Sequence, residues 1–192
     1  MSERYHHGNL RASLIEAAGQ IVADRGLDAL SLREAARIVG VSHAAPYRHF
    51  ADKEALVAAL ATDGFQRLLA ALQAVPRDVA PIDRLVRMAQ AYVDFARAEP
   101  GRFHLMFSRQ SRAREKYPEL YDVAIKSYEV HADAVAAVLP AGQDVELAVD
   151  TAWSFVHGLA NLMLERQFDP LPAERVAALA RQMIRGLVPR QG

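Results

Sequence analysis

Residues Ser31 to Lys53 read SLREAARIVGVSHAAPYRHFADK, and this run decides the fold of the chain. Ser31 followed three residues later by Glu34 is a capping box, in which hydroxyl and carboxylate satisfy backbone amides left over at a helix start. Leu32, Ala35, Ala36 and Val39 then recur at helical spacing, and Gly40 follows as the residue best able to end a helix at positive φ. Val41 is placed to anchor the corner in the core. Ser42 reads as the N-cap of a second short helix through about Phe50, with Pro46 near its first turn, where it costs at most about one backbone hydrogen bond. Small Ala36 lets the two helices cross closely. Asp52 reads as the N-cap of a third helix, which makes the amides around Lys53 a seat for phosphate. The whole is a helix-turn-helix running into a third, capped helix, and its natural partner is double-stranded DNA.

Composition sets the outer bounds. The chain has 192 residues, 52% of them hydrophobic, enough for a substantial core in one domain or two small ones. It contains no cysteine, so disulfides and thiolate metal sites are excluded. The polar start MSERYHHGNLRAS lacks the apolar core of a signal peptide, and a cytoplasmic location is expected. The apolar tract Trp153 to Leu164 is interrupted by Ser154, His157 and Asn161 and is too short to span a bilayer, so no membrane partner is expected. Net charge is zero, and residues 1–53 carry seven Lys/Arg against six Asp/Glu, a weak electrostatic footprint for DNA. Four of the seven histidines, however, stand at positions 6, 7, 43 and 49.

Helical patterning continues to the end of the chain, and the predicted fold is all-α with about nine helices. Leu56, Leu60, Phe65, Leu68, Leu69 and Leu72 extend a long connecting helix over about 52 to 75. Pro76 to Pro81 breaks it before a helix over Ile82 to Ala98, and Pro100-Gly101 punctuates again. A short aromatic helix from Arg102 to Phe107 precedes a basic loop, Arg109 to Lys116. Helices follow at about Glu119 to Val138, Gln143 to Arg166 and Ala173 to Leu187. The helix from Gln143 carries two apolar faces, one through Val149, Trp153, Val156, Ala160 and Met163, the other through Leu147, Thr151, Phe155, Leu159 and Leu162. It is expected to be buried nearly all round. One face serves the core and the other needs a partner, unless both are internal. Val176, Leu179, Met183 and Leu187 on the last helix supply a matching stripe for a four-helix interface.

The ordered set from about Asn9 to Leu60 resembles the DNA-binding domain of the TetR family of one-component bacterial regulators. Leu10 to Arg25 with Gly26 resembles its first helix, Ser31 to Val39 its second, Ser42 to Phe50 ending in Tyr47-Arg48-His49-Phe50 its recognition helix, and Asp52-Lys53-Glu54-Ala55-Leu56 the start of its connecting helix. The run Trp153-Ser154-Phe155-Val156-His157-Gly158 resembles a Trp-His-Gly signature of one subgroup. The resemblance implies a DNA-binding domain over 1–53 and a ligand-binding and dimerisation domain over 54–192. It implies a homodimer through the helices at about 143–166 and 173–187, reading an inverted-repeat operator whose half-sites lie about 34–36 Å, or a multiple of that, apart. By matched position, Ser42, His43, Ala44 and Pro46 would face base edges or thymine methyls, while Ser31, Tyr47, His49 and Lys53 would hold phosphates. Arg33 and Arg48 are further candidates, and Arg4, His6 and His7 would form an arm along the groove or fray. For Tyr47 the alternative is packing beside Phe50, itself a core residue.

The second half reads as a sensor for a small apolar or amphipathic effector, with no cofactor. Tyr92, Phe103, Met106, Phe107, Tyr128, Trp153 and His157, with Phe95 and Met163 behind them, are the usual ingredients of a ligand pocket and equally of a core. An effector that prefers a DNA-incompetent state would release the operator by population shift, which makes the chain most simply a repressor. A corepressor-dependent repressor or an activator of the same fold is the alternative. Other classes have weaker support in the residues. His104, His131 and His157 would be the ligands of a metal sensor, without paired metal-ligand spacing. Asp150, Ser154 and His157 lie at helical spacing but have no nucleophile elbow or oxyanion loop, so no enzyme is expected. A helical interaction module without DNA binding would not need the Ser31, Ser42, Tyr47 and Lys53 set.

Histidines beside phosphates gain a proton more readily, because neighbouring negative charge favours the charged ring. Operator affinity at fixed salt should therefore fall as pH rises from about 6 to about 8; a flat titration would dismiss histidine as a source of that affinity.

Overall fold

The structure is a computed structural model and describes residues 10–108 and 116–188. Arg4, His6 and His7, and the predicted loop apart from Lys116, lie outside the described residues. Among the described residues all regular structure is helical: α1 (Leu10–Arg25), α2 (Leu32–Val39), α3 (Lys53–Gln73), α4 (Pro81–Ala98), α5 (Pro100–Met106), α6 (Pro118–Ala136), α7 (Val145–Leu164) and α8 (Ala173–Leu187), with 3-10 turns at Leu27–Ala29 and Ala45–Arg48.

The boundaries of α2 follow the sequence closely. The Ser31 hydroxyl accepts from the Glu34 amide at 3.1 Å. Gly40 takes the left-handed conformation, φ 77° and ψ 31°. Its amide donates to the Arg37 carbonyl and that of Val41 to the Ala36 carbonyl, 3.3 and 3.0 Å, the paired bonds of a Schellman ending.

The element after the corner departs from expectation. In place of a helix over Ser42 to Phe50 there is the 3-10 turn Ala45–Arg48, so among the described residues eight α-helices stand where about nine were expected. Pro46 supplies the reason. It has no amide to donate, and in an α-helix its ring would press on the carbonyl four residues back, that of Ser42. That carbonyl instead accepts from the Ala45 amide at 3.0 Å, the shorter 3-10 reach. Nor does Ser42 act as the cap, since the position before the turn is Ala44 and no side chain caps it. Asp52 does cap α3, accepting from the Ala55 amide at 2.8 Å.

The chain divides into two compact units, Met1–Phe65 with Gly101–Tyr121, and Gln66–Pro100 with Asp122–Gly192. In the first, Leu14, Ala18, Ile21, Leu30, Leu32, Ala35, Phe50, Leu56 and Leu60 form one core, joined by Leu105 of α5. A sequence boundary at 53/54 does not anticipate that return of the chain. Arg102, only 6% exposed, fixes it: its guanidinium pairs with Glu16 of α1 and with Asp63 of α3, each at 2.9 Å. Gly19 makes the room, because a β-carbon there would lie 2.9 Å from the guanidinium. By length and composition α3 would suffice to cross a membrane. Its apolar residues Leu56, Leu60, Leu68 and Leu72 are instead buried in protein, and Asp63 in its middle carries an ion pair.

In the second unit α4 packs against α7 and α8, and α7 against α8. The buried side chains of these helices are Val86, Met88 and Val93 among others on α4, Val149, Ala152, Val156 and Ala160 on α7, and Val176, Ala180 and Ile184 on α8. The expectation that α7 is buried nearly all round is not met in the single chain: Leu147 is 65% and Leu162 39% exposed, and Thr151 and Ser154 are open. On α8, Leu179, Met183 and Leu187 are half-buried.

Replacing Arg102 by Met removes the cation that Asp63 and Glu16 share. Both carboxylates keep access to water, 26% and 62% exposed, so the loss should be about 2 kcal/mol in urea unfolding, short of the full cost of a buried unpaired charge. A double-mutant cycle with Asp63→Asn measures the coupling directly.

Candidate functional site

The exposed surface of the first unit is made by short elements that could not hold their shape alone. Pro46 is almost wholly buried and Phe50 is 3% exposed. Between and before them, Ser42, His43, Ala44, Arg48 and His49 are exposed and Tyr47 is 52% exposed. Two readings change as a result. Pro46 cannot face base edges, because it is the wedge that seats the turn. Tyr47 does not pack into the core beside Phe50, and its ring stands in solvent. Phe50 is covered from outside by the Arg11 guanidinium, 5.5 Å from the ring centroid.

Lys53, exposed at the start of α3, donates to the Leu27 carbonyl at 3.0 Å. An ammonium has three donors, so this bond orients the side chain and leaves donors for a second acceptor. Ser31 is committed to its cap, and Arg33 is exposed on α2. Sequence reading missed the brace behind these residues. Glu34 takes the Arg25 guanidinium at 2.6 Å and that of Arg37 at 2.8 and 2.9 Å, tying α1 to α2. Hydrogen bonding from Arg37 first, then Arg25, holds its carboxyl at about 2 against an ordinary 4.5. The Ser31–Glu34 spacing had pointed to Glu34 only as a capping residue.

The residues proposed for an effector do not form one group. Phe103, Met106 and Phe107 belong to the first unit, where Phe107 meets Phe65 and Phe103 edge-on, centroids 5.5 and 5.2 Å apart. Phe103 and Met106 are buried there. Tyr92, Tyr128, Trp153 and His157 gather in the second unit. The Tyr92 hydroxyl lies 2.8 Å from His157 Nδ1 and is also hydrogen-bonded to Trp153. Burial pushes the Tyr92 phenol above its ordinary range, so it stays neutral. Trp153 packs on His157 and stands perpendicular to Tyr128, centroids 5.9 and 6.3 Å away. Tyr128 donates to Asp150 at 3.4 Å. The phenol of Tyr128 is also raised, by burial first and then by the negative charges of Asp150 and Glu146. Nothing in the sequence links Tyr92 to His157, 65 positions later. Phe95 and Met163 are buried.

The other constellations come apart. His104 lies in the first unit, His131 and His157 in the second, and among the described residues no three potential ligands group around a metal position. Of Asp150, Ser154 and His157, the first is bonded to Tyr128, the last to Tyr92, and Ser154 is exposed.

A family model described as bacterial regulatory proteins, tetR family, matches residues 14–60, and one described as the tetracyclin repressor-like C-terminal domain matches residues 85–187. The chain belongs to the TetR family. A protein of unknown function from Rhodococcus sp. RHA1 is similar at 33% identity, covering 97% of this chain and 99% of its own with a TM-score of 0.81. A bacterial regulatory protein in the tetR family from Rhodococcus RHA1 shares 24% identity, with 91% and 96% covered and a TM-score of 0.74. A TetR family transcriptional regulator from Thermus thermophilus shares 22%, with 89% and 96% covered and a TM-score of 0.71. The chain therefore has the fold of a transcriptional regulator, and the exposed turn after Gly40 falls within the family's N-terminal model. Regulators of this family bind DNA and small ligands and form dimers.

The Glu34 brace makes a pH-dependent contribution of known sign. Its folded pKa is depressed, so the stabilisation is complete above the ordinary value of 4.5 and is lost as pH falls toward about 2. Glu34→Gln should lower Tm at pH 7, and the gap from the unaltered protein should narrow steadily below about pH 5. A gap that stays constant down to the acid limit would show that the two guanidiniums do not stabilise the carboxylate.

Proposed function

We propose that the protein is a homodimeric transcriptional repressor that holds an inverted-repeat operator through Ser42, His43, Ala44, Tyr47, Arg48 and His49, with Lys53, Ser31 and Arg33 at its flanks. The observation that carries this is the exposure of Ser42, His43, Ala44, Tyr47, Arg48 and His49 on and around a turn whose other side, Pro46 and Phe50, is locked in the core. Such a surface is pre-organised, so little ordering entropy is spent on binding. Ser42, His43 and Ala44 offer short groups for base edges and thymine methyls, and Tyr47, His49 and Lys53 offer longer donors for phosphates. It acts in the cytoplasm.

The dimer uses the open sides of α7 and α8. Leu147, Thr151, Ser154 and Leu162 follow one another along α7 with Gly158 among them. A glycine inside a helix costs about 1 kcal/mol relative to alanine. Within the chain nothing lies within 4 Å of where its β-carbon would stand. Close approach of a second subunit gives that glycine a use. An effector held at Tyr92, Tyr128, Trp153 and His157 then favours a state in which the two reading surfaces no longer match the operator, and DNA is released.

A gel shift on the DNA flanking the coding region, run across a salt series, tests this reading. The expected outcome is a sequence-specific shift that weakens steeply with salt and loses at least roughly tenfold in affinity with Tyr47→Ala. A salt-insensitive shift, or one untouched by Tyr47→Ala, would remove the turn from the interface. In sedimentation, Gly158→Leu should convert dimer to monomer while leaving the helical circular dichroism signal unchanged.

A further inference from the structure

The cluster around Trp153 has a chemical bias that its aromatic content alone does not convey. Glu146, Asp150, Trp153 and His157 succeed one another at helical spacing and form one stripe of α7. At about 100° per residue, this stripe lies roughly a third of a turn from the open side through Leu147, Thr151 and Leu162. It is therefore distinct from the surface assigned to the second subunit. Tyr128 of α6 stands against it with its ring at 86° to that of Trp153, and the two are 37% and 38% exposed. Two half-open aromatic rings at right angles, with the Asp150 carboxylate 3.4 Å from the Tyr128 hydroxyl, make a corner with negative ring faces and a negative rim.

The charged side chains that α7 itself brings to this corner have one sign. From Val145 to Leu164, α7 carries Glu146 and Asp150 and no Lys or Arg at all. On α6 the residues a turn to either side of Tyr128 are Ala124, Ile125, His131 and Ala132; Lys126 lies two positions away and points elsewhere on the helix. His131 is kept neutral by burial, which lowers its pKa. On α4 the residues beside Tyr92 are Met88, Ala89, Phe95 and Ala96, all apolar. An anionic ligand would meet the carboxylates of Glu146 and Asp150 here, and a neutral one would leave the acidic rim unused.

We infer that the corner formed by Trp153 and Tyr128, with Asp150 and Glu146 at its rim, is a seat for a lipophilic organic cation, held by ring faces and a carboxylate counter-charge. This rests on the effector reading above and gives that effector a charge. Cation–ring attraction strengthens as water is excluded, and the Asp150 carboxylate adds a direct ion pair.

Trp153 is the single tryptophan of the chain, so its emission reports on this position alone. The test titrates the full-length dimer with tetraphenylphosphonium and, separately, with tetraphenylborate, ions of matched shape and opposite charge. The expected result is saturable quenching by the phosphonium and none by the borate over the same range. Asp150→Asn, at an exposed position that does not endanger folding, should weaken phosphonium binding about tenfold; Glu146→Gln should weaken it less. Equal or tighter binding of the borate, no quenching by the phosphonium, or indifference to Asp150→Asn would each overturn the seat. Running the operator gel shift alongside separates the two readings. Release of DNA by the borate alone would overturn the cation seat and leave an effector-released regulator standing. Phosphonium binding at Trp153 with operator affinity unchanged would uphold the seat and overturn release through it.

Discussion

An eight-residue helix and a four-residue 3-10 turn have no stability of their own in water, since helices this short do not repay their nucleation cost. Everything the first unit offers to a partner depends on their burial against α1 and α3. Leu32, Ala35, Pro46 and Phe50 are the side chains that supply it, each nearly or wholly removed from solvent. Exposed and buried positions alternate so tightly after Gly40 that the same few residues build the surface and anchor it. Pro46 illustrates the economy: by refusing an α-helical hydrogen bond it shortens the turn, and by filling the core it fixes where Tyr47 and Ala44 stand.

The helical architecture was legible in the sequence because its signals are local. Ser31, Gly40 and Asp52 mark boundaries through hydrogen bonds that reach only a few residues, and the structure forms those bonds, whereas the Glu34 carboxylate of the expected capping box goes to Arg25 and Arg37. The turn at Ala45–Arg48 was misread because helical spacing of apolar residues does not distinguish an α-turn from a 3-10 turn over so short a span. The proline itself held the correct answer. What was not legible was pairing at a distance. Arg102 with Glu16 and Asp63, Glu34 with Arg25, and Tyr92 with His157 depend on how helices pack, and no period in the sequence encodes that. The aromatic residues of the second half therefore looked like one set, although Phe103, Met106 and Phe107 belong with the first unit.

Charge tells a similar story. The zero net charge of the chain gave little indication of a nucleic-acid partner, because pairing matters more than counting. Arg25, Arg37 and Arg102 are all engaged by carboxylates. Arg33, Arg48 and Lys53 stay at the exposed surface, Lys53 with one donor given to a backbone carbonyl. The acids Glu146 and Asp150, by contrast, stand on α7, which has no Lys or Arg of its own. One balanced total thus contains locally different fields.

The return of the chain to the first unit at Gly101 bears on how this protein comes into being during synthesis. Its reading head is discontinuous in sequence: Leu105 belongs to the core and Arg102 to the ion pairs that bind α1 to α3, yet both emerge about forty residues after Asp63. A nascent chain ending at Phe65 would expose the surface that α5 covers and would lack the cation that Glu16 and Asp63 share. Domains that fold from the N-terminus as they are made usually close before the next begins. Here the head cannot close until α4, an element of the second unit, has already been translated, so its closure waits on a segment that belongs to the other unit.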